Sequence, residues 1–346
     1  MKAAIYREFQ GAISVETLAD PAPVADGVVV AVKANGVCRS DWHGWLGHDR
    51  DIKLPHVPGH ELSGVIAAVG SGVRKWKVGD RVTSPFVCGC GTCHRCVAGN
   101  SQVCPRQEQP GFTHWGSFAE FVALRYADNN LVALPEALDF ITAAALGCRF
   151  ATAYRAVIAQ ARVLEGEWLA VHGCGGVGLS AVMIAAAHGA QVLAIDIDDE
   201  KLAFARTIGA TATLRADRVD DMTGAVADLT NGGAHASIDA VGSARQMRAS
   251  IDSLRPLGRH VQVGLLVGNE SEPAVPMARV IRHEIEIRGS HGLAAHVYPE
   301  MLGEIASGLL NPAKLIGRGV GLEEAVDLLV NEEAFASPGV TVIDHF

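Results

Sequence analysis

The sequence has no block of lysines and arginines, no long apolar run and few aromatic residues. Its formal net charge is −9, which argues against nucleic acids and anionic membranes as partners. Its longest apolar stretch, at about 181–187, is too short for a bilayer-spanning helix, which needs about 20 residues. Charges at Lys2 and Arg7 interrupt the N-terminus before any apolar run forms. We therefore predict no signal peptide and a cytoplasmic protein.

The chain is instead rich in glycine and in apolar residues. Of its 346 residues, 49% are hydrophobic and 38 are glycine. This length exceeds what one hydrophobic core usually serves, so we predict two domains. Abundant glycine with few aromatic residues is typical of an α/β protein with tight turns and close helix–strand contacts.

Two kinds of pattern divide the chain. Residues 1–150 contain short apolar runs punctuated by glycine and proline, which predicts a compact β domain. From about residue 143 strand-like and helix-like segments alternate, and this predicts a parallel, doubly wound sheet. The pattern breaks up again after about residue 287.

A glycine-rich turn follows the predicted strand at 168–172. It reads Gly173-Cys174-Gly175-Gly176-Val177-Gly178 and runs into a predicted helix. This is G-x-G-x-x-G in the strand–turn–helix context of a dinucleotide site. The helix N-terminus offers free N–H groups and the positive end of its dipole to the phosphates. The predicted loop contacts are Gly173, Gly175, Gly176, Val177 and Gly178.

The next strand ends at Asp196, 18 residues after Gly178. A carboxylate there can accept hydrogen bonds from both ribose hydroxyls and would repel a 2′-phosphate. Asp198 and Asp199 make the local field more negative still. The sequence therefore favours NAD over NADP.

Disulfides are rare in a reducing compartment, so the eight cysteines favour metal or redox roles. Four of them form C-x2-C-x2-C-x7-C, at Cys90, Cys93, Cys96 and Cys104. Four thiolates at these spacings can close a tetrahedron around zinc and leave no open position, which predicts a structural site. A set of free cysteines is the alternative, and we treat the neighbouring Cys88 as a bystander.

A second metal site has to be assembled from distant segments. Cys38, His60 and Cys148 can bind zinc and leave the fourth position to water or substrate, as in catalytic sites. Glu61 is a further candidate ligand. Residues of these types, each taken alone, more often have a structural role, and a single buried cysteine is usually an ordinary core residue.

Four segments together resemble the zinc-containing medium-chain alcohol dehydrogenases. They are residues 38–43, the Gly-His-Glu segment that continues to residue 73, the four-cysteine loop and the turn at 173–178. The segments occur in that family's order and cover nearly the whole chain. Arg149, where family members often have glycine, and the extra Cys88 depart from the pattern and leave the substrate open.

The resemblance implies an α/β fold with a GroES-like β-barrel catalytic domain and a Rossmann doubly wound parallel sheet. The catalytic domain would span 1–150 and be completed by 288–346, and the NAD-binding domain would span 151–287. Relatives of this kind are homotetramers or homodimers.

The resemblance also implies site residues. Cys38, His60 and Cys148 would hold a catalytic zinc, Glu61 would ligate it transiently, and the four-cysteine loop would hold a second, structural zinc. Asp41 would orient the ligand histidine, while Ser40 and His43 would relay a proton. The other cofactor-site predictions are Thr152, Arg39, Val263 and Leu265. The predicted pocket walls are Trp42, Phe86 and Trp115.

The implied activity is reversible, NAD-linked oxidation of a primary or secondary alcohol to an aldehyde or ketone. A polyol or sugar dehydrogenase stays open, although the three aromatic pocket residues favour an apolar substrate. A zinc-free quinone or enoyl reductase would not need ligands at 38, 60 and 148. A non-catalytic NAD-binding protein would have no reason to keep an open three-ligand metal site.

Overall fold

The computed structural model describes residues 1–346. The strands are β1 (Lys2–Tyr6), β2 (Ile13–Thr17), β3 (Val28–Gly36), β4 (Glu61–Val69), β5 (Arg81–Thr83), β6 (Phe121–Leu124), β7 (Val132–Ala133), β8 (Trp168–His172), β9 (Gln191–Asp196), β10 (Ala212–Arg215), β11 (Ala234–Asp239), β12 (Leu254–Gln262), β13 (Glu286–Gly289), β14 (Ile316–Gly321) and β15 (Val340–His345). The helices are α1 (Arg39–Trp45), α2 (His94–Val97), α3 (Ala127–Asn130), α4 (Phe140–Ala144), α5 (Ala151–Tyr154), α6 (Gly176–Ala187), α7 (Asp199–Thr207), α8 (Met222–Thr230), α9 (Ala244–Asp252), α10 (Met277–His283), α11 (Tyr298–Ala306) and α12 (Leu322–Val330). None of these helices combines the length and the apolar character needed to cross a membrane.

The chain divides into two compact units. Unit 1 comprises Met1–Ala151, Gly292–Glu304 and Pro312–Phe346. Unit 2 comprises Thr152–His291 and Ile305–Asn311. The segment Ile305–Asn311 thus belongs to unit 2, whereas the sequence-based division assigns all of 288–346 to the catalytic domain.

Unit 2 contains a six-stranded parallel sheet in the order β10-β9-β8-β11-β12-β13. Its central strand β8 carries Leu169, Ala170 and Val171, all fully buried. Such unbroken apolar runs are typical of parallel strands covered on both faces. The strand order reverses at β8, between β9 and β11, and ligands of doubly wound sheets bind outside the carboxyl ends of the strands at such a point. The predicted doubly wound sheet is confirmed.

Unit 1 contains a seven-stranded, mostly antiparallel sheet. Its path runs β14-β15-β3-β4-β5-β7, and β6 pairs with β3. The pairing of β3 with β4 sets Gly36 opposite Glu61. This register brings the chain just after β3, at Cys38, close to the chain just before β4, at His60.

Cys148 lies in a π-helical turn, Leu146–Phe150, between α4 and α5. The carbonyl oxygen of Gly147 accepts the backbone N–H of Phe86 at 3.2 Å and the hydroxyl of Tyr298 at 3.2 Å. Tyr298 is fully buried at the start of α11. These two donors anchor the turn within unit 1, and π-helical turns are frequent at functional sites.

Candidate functional site

The four residues predicted around a catalytic metal lie together in unit 1. Cys38, His60, Glu61 and Cys148 each offer one ligand atom, and these atoms lie within 4.8 Å of one another. All four side chains are buried. Two sulfurs and an imidazole nitrogen are ligands that Zn²⁺ prefers in tetrahedral geometry.

The buried carboxylate of Asp41 fixes the orientation of the His60 ring. Asp41 Oδ1 lies 2.9 Å from His60 Nδ1 and accepts the N–H of Gly59 at 3.0 Å. Asp41 Oδ2 accepts the N–H of Cys38 at 3.1 Å. One carboxylate therefore holds both ligand segments in place, as the partner of a metal-binding histidine commonly does.

The other ring nitrogen of His60 shows whether the site suits a metal ion. His60 Nε2 is buried and has no hydrogen-bond partner. Leaving a buried polar atom unpaired costs about 1–3 kcal/mol. With the proton on Nδ1 facing Asp41, the Nε2 lone pair is free to bind a metal ion. The residues present therefore fit a zinc ion.

The two cysteines of this cluster affect each other's pKa. A hydrogen bond with Cys148 holds the pKa of Cys38 well below its ordinary value, although burial opposes this. The same hydrogen bond, together with burial, raises the pKa of Cys148. The lowered pKa of Cys38 favours its thiolate, which is the form that binds metals.

Glu61 has both carboxylate oxygens engaged by Arg149. Its Oε1 accepts the backbone N–H of Arg149 at 3.0 Å and the side-chain Nε at 2.9 Å. Its Oε2 pairs with Nη2 of the same guanidinium. Burial raises the pKa of Glu61, and the charge of Arg149 counteracts that rise. The predicted transient ligand is thus held in a buried ion pair by a residue that the sequence marks only as a departure from the family pattern.

Two phenylalanine rings flank His60. The ring centroids of Phe112 and Phe86 lie 5.1 Å and 6.1 Å from that of His60. Phe86 is a predicted pocket residue, whereas the buried Phe112 belongs to no motif and is missed by the sequence analysis. These rings give the metal cluster an apolar border, which suits an uncharged substrate.

The other two predicted pocket residues, Trp42 and Trp115, make contacts of their own in unit 1. The Trp42 ring is half-buried and packs edge-on against the ring of His43, at 5.1 Å between centroids. Trp115 is 39% exposed, and its indole N–H donates to the carbonyl oxygen of Pro55 at 3.0 Å. Their assignment to a substrate pocket stays a prediction.

Both predicted relay residues lie on α1. Ser40 is in the first turn and His43 follows three residues later, so the two face the same side of the helix. His43 is half-buried, and burial lowers its pKa, as do the nearby His48 and Arg39. His43 Nδ1 lies 3.0 Å from Nδ1 of His48, a residue to which the sequence analysis gives no role.

The four-cysteine loop also converges in unit 1. The ligand atoms of Cys90, Cys93, Cys96 and Cys104 lie within 4.8 Å of one another. Cys93 Sγ lies 3.5 Å from Cys96 Sγ, far beyond the roughly 2.05 Å of a disulfide. Burial raises the pKa of Cys90, but hydrogen bonds with Thr92 outweigh it and bring this pKa to about 5. The four sulfurs thus form the closed donor set of a structural zinc site.

The glycine loop of unit 2 has the conformation that its motif requires. Gly173 has a φ of +94°, in the left-handed region. A Cβ at Gly178 would collide with the carbonyl oxygen of Gly173. A Cβ at Gly175 would meet nothing within 4 Å, so no contact within the chain explains glycine there. This open space above the backbone, at the start of α6, fits a bound pyrophosphate.

Asp196 lies at the end of β9, beside this loop. Its Oδ2 accepts the N–H of Cys174 at 2.6 Å, and its Oδ1 accepts the N–H groups of Ile197 at 2.7 Å and Asp198 at 3.1 Å. These bonds hold the carboxylate at the position where an adenosine ribose would lie in a dinucleotide site.

The remaining predicted cofactor residues are dispersed. Thr152 has a buried hydroxyl without a hydrogen-bond partner, and Val263 donates its N–H to the carbonyl oxygen of Asp239 at 3.0 Å. Leu265 is 52% exposed. Arg39 pairs with Glu332 at 3.4 Å. Their contacts with a cofactor stay predictions.

Comparison with known proteins identifies the family. Residues 24–136 match the family described as alcohol dehydrogenase GroES-like domain, and residues 176–307 match that described as zinc-binding dehydrogenase. The chain is 37% identical over 294 residues to an alcohol dehydrogenase of Moraxella sp. (strain TAE123), with 84% of each chain covered. The chain belongs to the zinc-containing medium-chain dehydrogenase family. The family prediction made from the four motifs is therefore confirmed.

Other members of this medium-chain dehydrogenase family agree with that assignment. An alcohol dehydrogenase of Geobacillus stearothermophilus is 36% identical over 294 residues, again with 84% of each chain covered. The crystal structure of an alcohol dehydrogenase from Aeropyrum pernix superposes with a TM-score of 0.90 at 30% identity, and 99% of each chain is covered. The predicted fold class, GroES-like domain plus Rossmann sheet, is confirmed, and the chain is an oxidoreductase.

Proposed function

We propose that this chain is a zinc-dependent, NAD-linked alcohol dehydrogenase that reversibly oxidises a primary or secondary alcohol to an aldehyde or ketone. The observation that carries the proposal is the buried, unpartnered Nε2 of His60 beside the sulfurs of Cys38 and Cys148. A zinc-free reductase would have no use for this atom in this setting. The relatives named alcohol dehydrogenases support the same reaction class.

In this proposal Cys38, His60 and Cys148 hold the catalytic metal and leave one position open to substrate. Zinc bound there acts as a Lewis acid and lowers the pKa of the alcohol hydroxyl. Asp41 keeps the His60 proton on Nδ1 through the contact at 2.9 Å. Arg149 neutralises Glu61 and holds its carboxylate in the ion pair. The four-cysteine loop holds a second, structural zinc.

The proton and the hydride leave the alcohol by different routes. Ser40, in the first turn of α1, would accept the hydroxyl proton and pass its own proton on towards His43 on the same helix face. Nicotinamide, when bound, would accept the carbon-bound hydrogen together with two electrons. One proton and one hydride leave the alcohol, and an aldehyde or ketone remains.

The cofactor of this proposal is NAD. Three backbone N–H groups hold the carboxylate of Asp196 at the end of β9, and a negative charge there repels a 2′-phosphate. We expect Asp196→Gly to weaken NAD binding and to improve the relative use of NADP. Cofactor titrations of the variant and the parent measure this, and an unchanged preference would contradict the assignment to NAD.

The reaction itself is tested by following NADH oxidation at 340 nm with a panel of aldehydes and ketones. The panel contains apolar carbonyl compounds and, in the reverse direction, benzyl alcohol and sorbitol. We expect turnover that a zinc chelator abolishes, with apolar substrates preferred because of the Phe86 and Phe112 rings. Turnover that ignores the chelator would overturn zinc dependence, and a preference for sorbitol would point to a polyol dehydrogenase.

A pair of cysteine variants localises the effect to the catalytic cluster. Cys38→Ser should lower kcat by about 10³-fold or more, because the Lewis acid supplies several kcal/mol to the transition state. Cys88→Ser is the matched control. Cys88 is equally buried but lies outside both metal clusters. A Cys38→Ser variant with near-parental kcat would show that the catalytic metal is not held there.

A further inference from the structure

The backbone at the C-terminal end of α1 holds the side chain of His48 against that of His43. Gly47 has a φ of +83°, and its N–H donates to the carbonyl oxygen of Gly44 at 3.0 Å. The next N–H, of His48, donates to the carbonyl oxygen of His43 at 3.0 Å. These two bonds define a Schellman motif, in which the residue after the left-handed glycine packs back on the helix.

The two residues that the motif brings together are histidines. His43 Nδ1 and His48 Nδ1 lie 3.0 Å apart, and the ring centroids lie 5.2 Å apart. At this distance one nitrogen donates a proton and the other accepts it. The pair therefore shares a proton between its facing nitrogens.

The rings differ in their access to water. His43 is half-buried, whereas His48 is exposed. Arg39, on the same helix, adds a positive charge that disfavours a proton on His43. A charged imidazole is better solvated at the exposed position. Both differences favour movement of a proton from His43 outward to His48.

We propose that His48 is the last proton carrier of the relay and delivers the alcohol proton from His43 to water. This inference rests on the proposed dehydrogenase function. The N–H bond at Nδ1 of the His43 imidazolium breaks, and an N–H bond forms at Nδ1 of His48. His48 then releases one proton to water, and exchange of ring protons with water restores the starting tautomers. One proton enters the pair and one leaves.

Glycine is required at position 47 for this arrangement. Its φ lies in the left-handed region, and a Cβ there would lie 3.1 Å from the ring of Phe9. A Gly47→Ala substitution should therefore displace His48 and leave both imidazoles in the chain. This gives a second way to break the pair without removing a titratable group.

The test uses His48→Gln in the full-length enzyme, with alcohol oxidation measured in dilute and in concentrated phosphate at constant ionic strength. We expect kcat in dilute buffer to fall roughly tenfold with KM for the alcohol unchanged, a smaller loss than that of a primary general base because water replaces part of the transfer. Rising phosphate should restore the rate by accepting the proton from His43. Single-turnover proton release, followed with a pH indicator, should slow and recover in parallel.

The controls distinguish a relay role of His48 from a structural role. They also distinguish failure of this inference from failure of the proposed dehydrogenase function. His345→Gln alters an exposed histidine on β15 and should leave all these rates unchanged. Gly47→Ala should reproduce the phosphate-dependent loss. If His48→Gln has the parental rate in dilute buffer, or a loss that phosphate does not restore, the role of His48 is overturned while the dehydrogenase stands. A parental enzyme without alcohol turnover overturns both.

Discussion

The two cysteine-rich clusters of unit 1 offer similar atoms but are built in opposite ways. The four-cysteine cluster comes from one loop, between positions 90 and 104, and its Cys93 and Cys96 are half-exposed. The other cluster draws on segments at 38, 60 and 148, and its residues are buried. A loop with four close thiolates can adapt to its metal. A buried cluster has to be held in position by the fold.

The charged residues around the two clusters also differ in burial. Around His60, a carboxylate and a guanidinium take part: Asp41 bonds to both ligand segments, and Arg149 binds Glu61. At the loop, Arg106 donates to Cys90 Sγ at 3.2 Å from an exposed setting. Charge interactions are strong where water is excluded and weak where it is not. An arginine side chain thus bonds to a residue of each cluster, and the two contributions to stability should differ.

The buried arginine gives the largest expected effect. Arg149→Met removes the partner of a buried carboxylate and should lower the free energy of unfolding by about 3–5 kcal/mol. The double variant Arg149→Met/Glu61→Gln removes both charges and should recover most of that loss. Urea unfolding of the metal-free chains measures both values.

An exposed ion pair serves as the control for this experiment. Arg7 bonds to Glu16 at 2.7 Å with 57% of its side chain exposed, and Arg7→Met should leave the urea midpoint of unfolding almost unchanged. Equal losses at Arg149 and Arg7 would show that burial of the Glu61 pair does not matter, and the contrast between the clusters would fail.

Removal of the Asp41 carboxylate should have the second-largest effect, a loss of zinc affinity at the buried cluster. Asp41→Ala leaves Nδ1 of His60 and the N–H groups of Gly59 and Cys38 without their acceptor. Loss of such a partner typically weakens metal affinity by 10–100-fold. Metal analysis after dialysis against graded chelator should show zinc lost from one cluster only, with circular dichroism confirming the fold.

A variant in the four-cysteine loop provides the converse of the Asp41 experiment. Cys93→Ser should lower zinc retention at the four-cysteine cluster and leave the buried cluster loaded. Loss of both zinc ions in Asp41→Ala would mean that the clusters are coupled, which their separate construction argues against.

Sequence reading succeeds where the determinants are local. The four cysteines lie within one short segment, and the glycine turn at 173–178 is defined by its own strand, turn and helix, so spacing alone predicts each. The family resemblance supplies the catalytic trio, whose members come together only through the Gly36–Glu61 register and the π-helical turn at Cys148. No single-segment pattern contains that information.

The missed features depend on tertiary contacts or on weak local signals. Arg149 finds Glu61 across 88 positions, and Phe112 reaches His60 from a loop without a motif. His48 meets His43 only because Gly47 is left-handed. Helix α9 is capped by Ser243, whose Oγ accepts the N–H of Gln246, and it buries Met247 and Ile251 on one face. The cap and the apolar face are both local signals for this helix.

Removal of the exposed Arg106 at the four-cysteine loop should have the smallest effect on stability and zinc retention. It is the direct counterpart of the Arg149 variant at the buried cluster. Arg106 Nη2 bonds to Cys90 Sγ at 3.2 Å and to Thr92 Oγ1 at 2.8 Å. Because water and the Thr92 hydrogen bonds remain available to this thiolate, Arg106→Ala should leave the urea midpoint of unfolding almost unchanged. Zinc retention at the loop should fall by no more than about threefold. Dialysis against graded chelator measures the retention. A loss as large as that of Arg149→Met would mean that the loop, too, depends on a charge held in place by the fold.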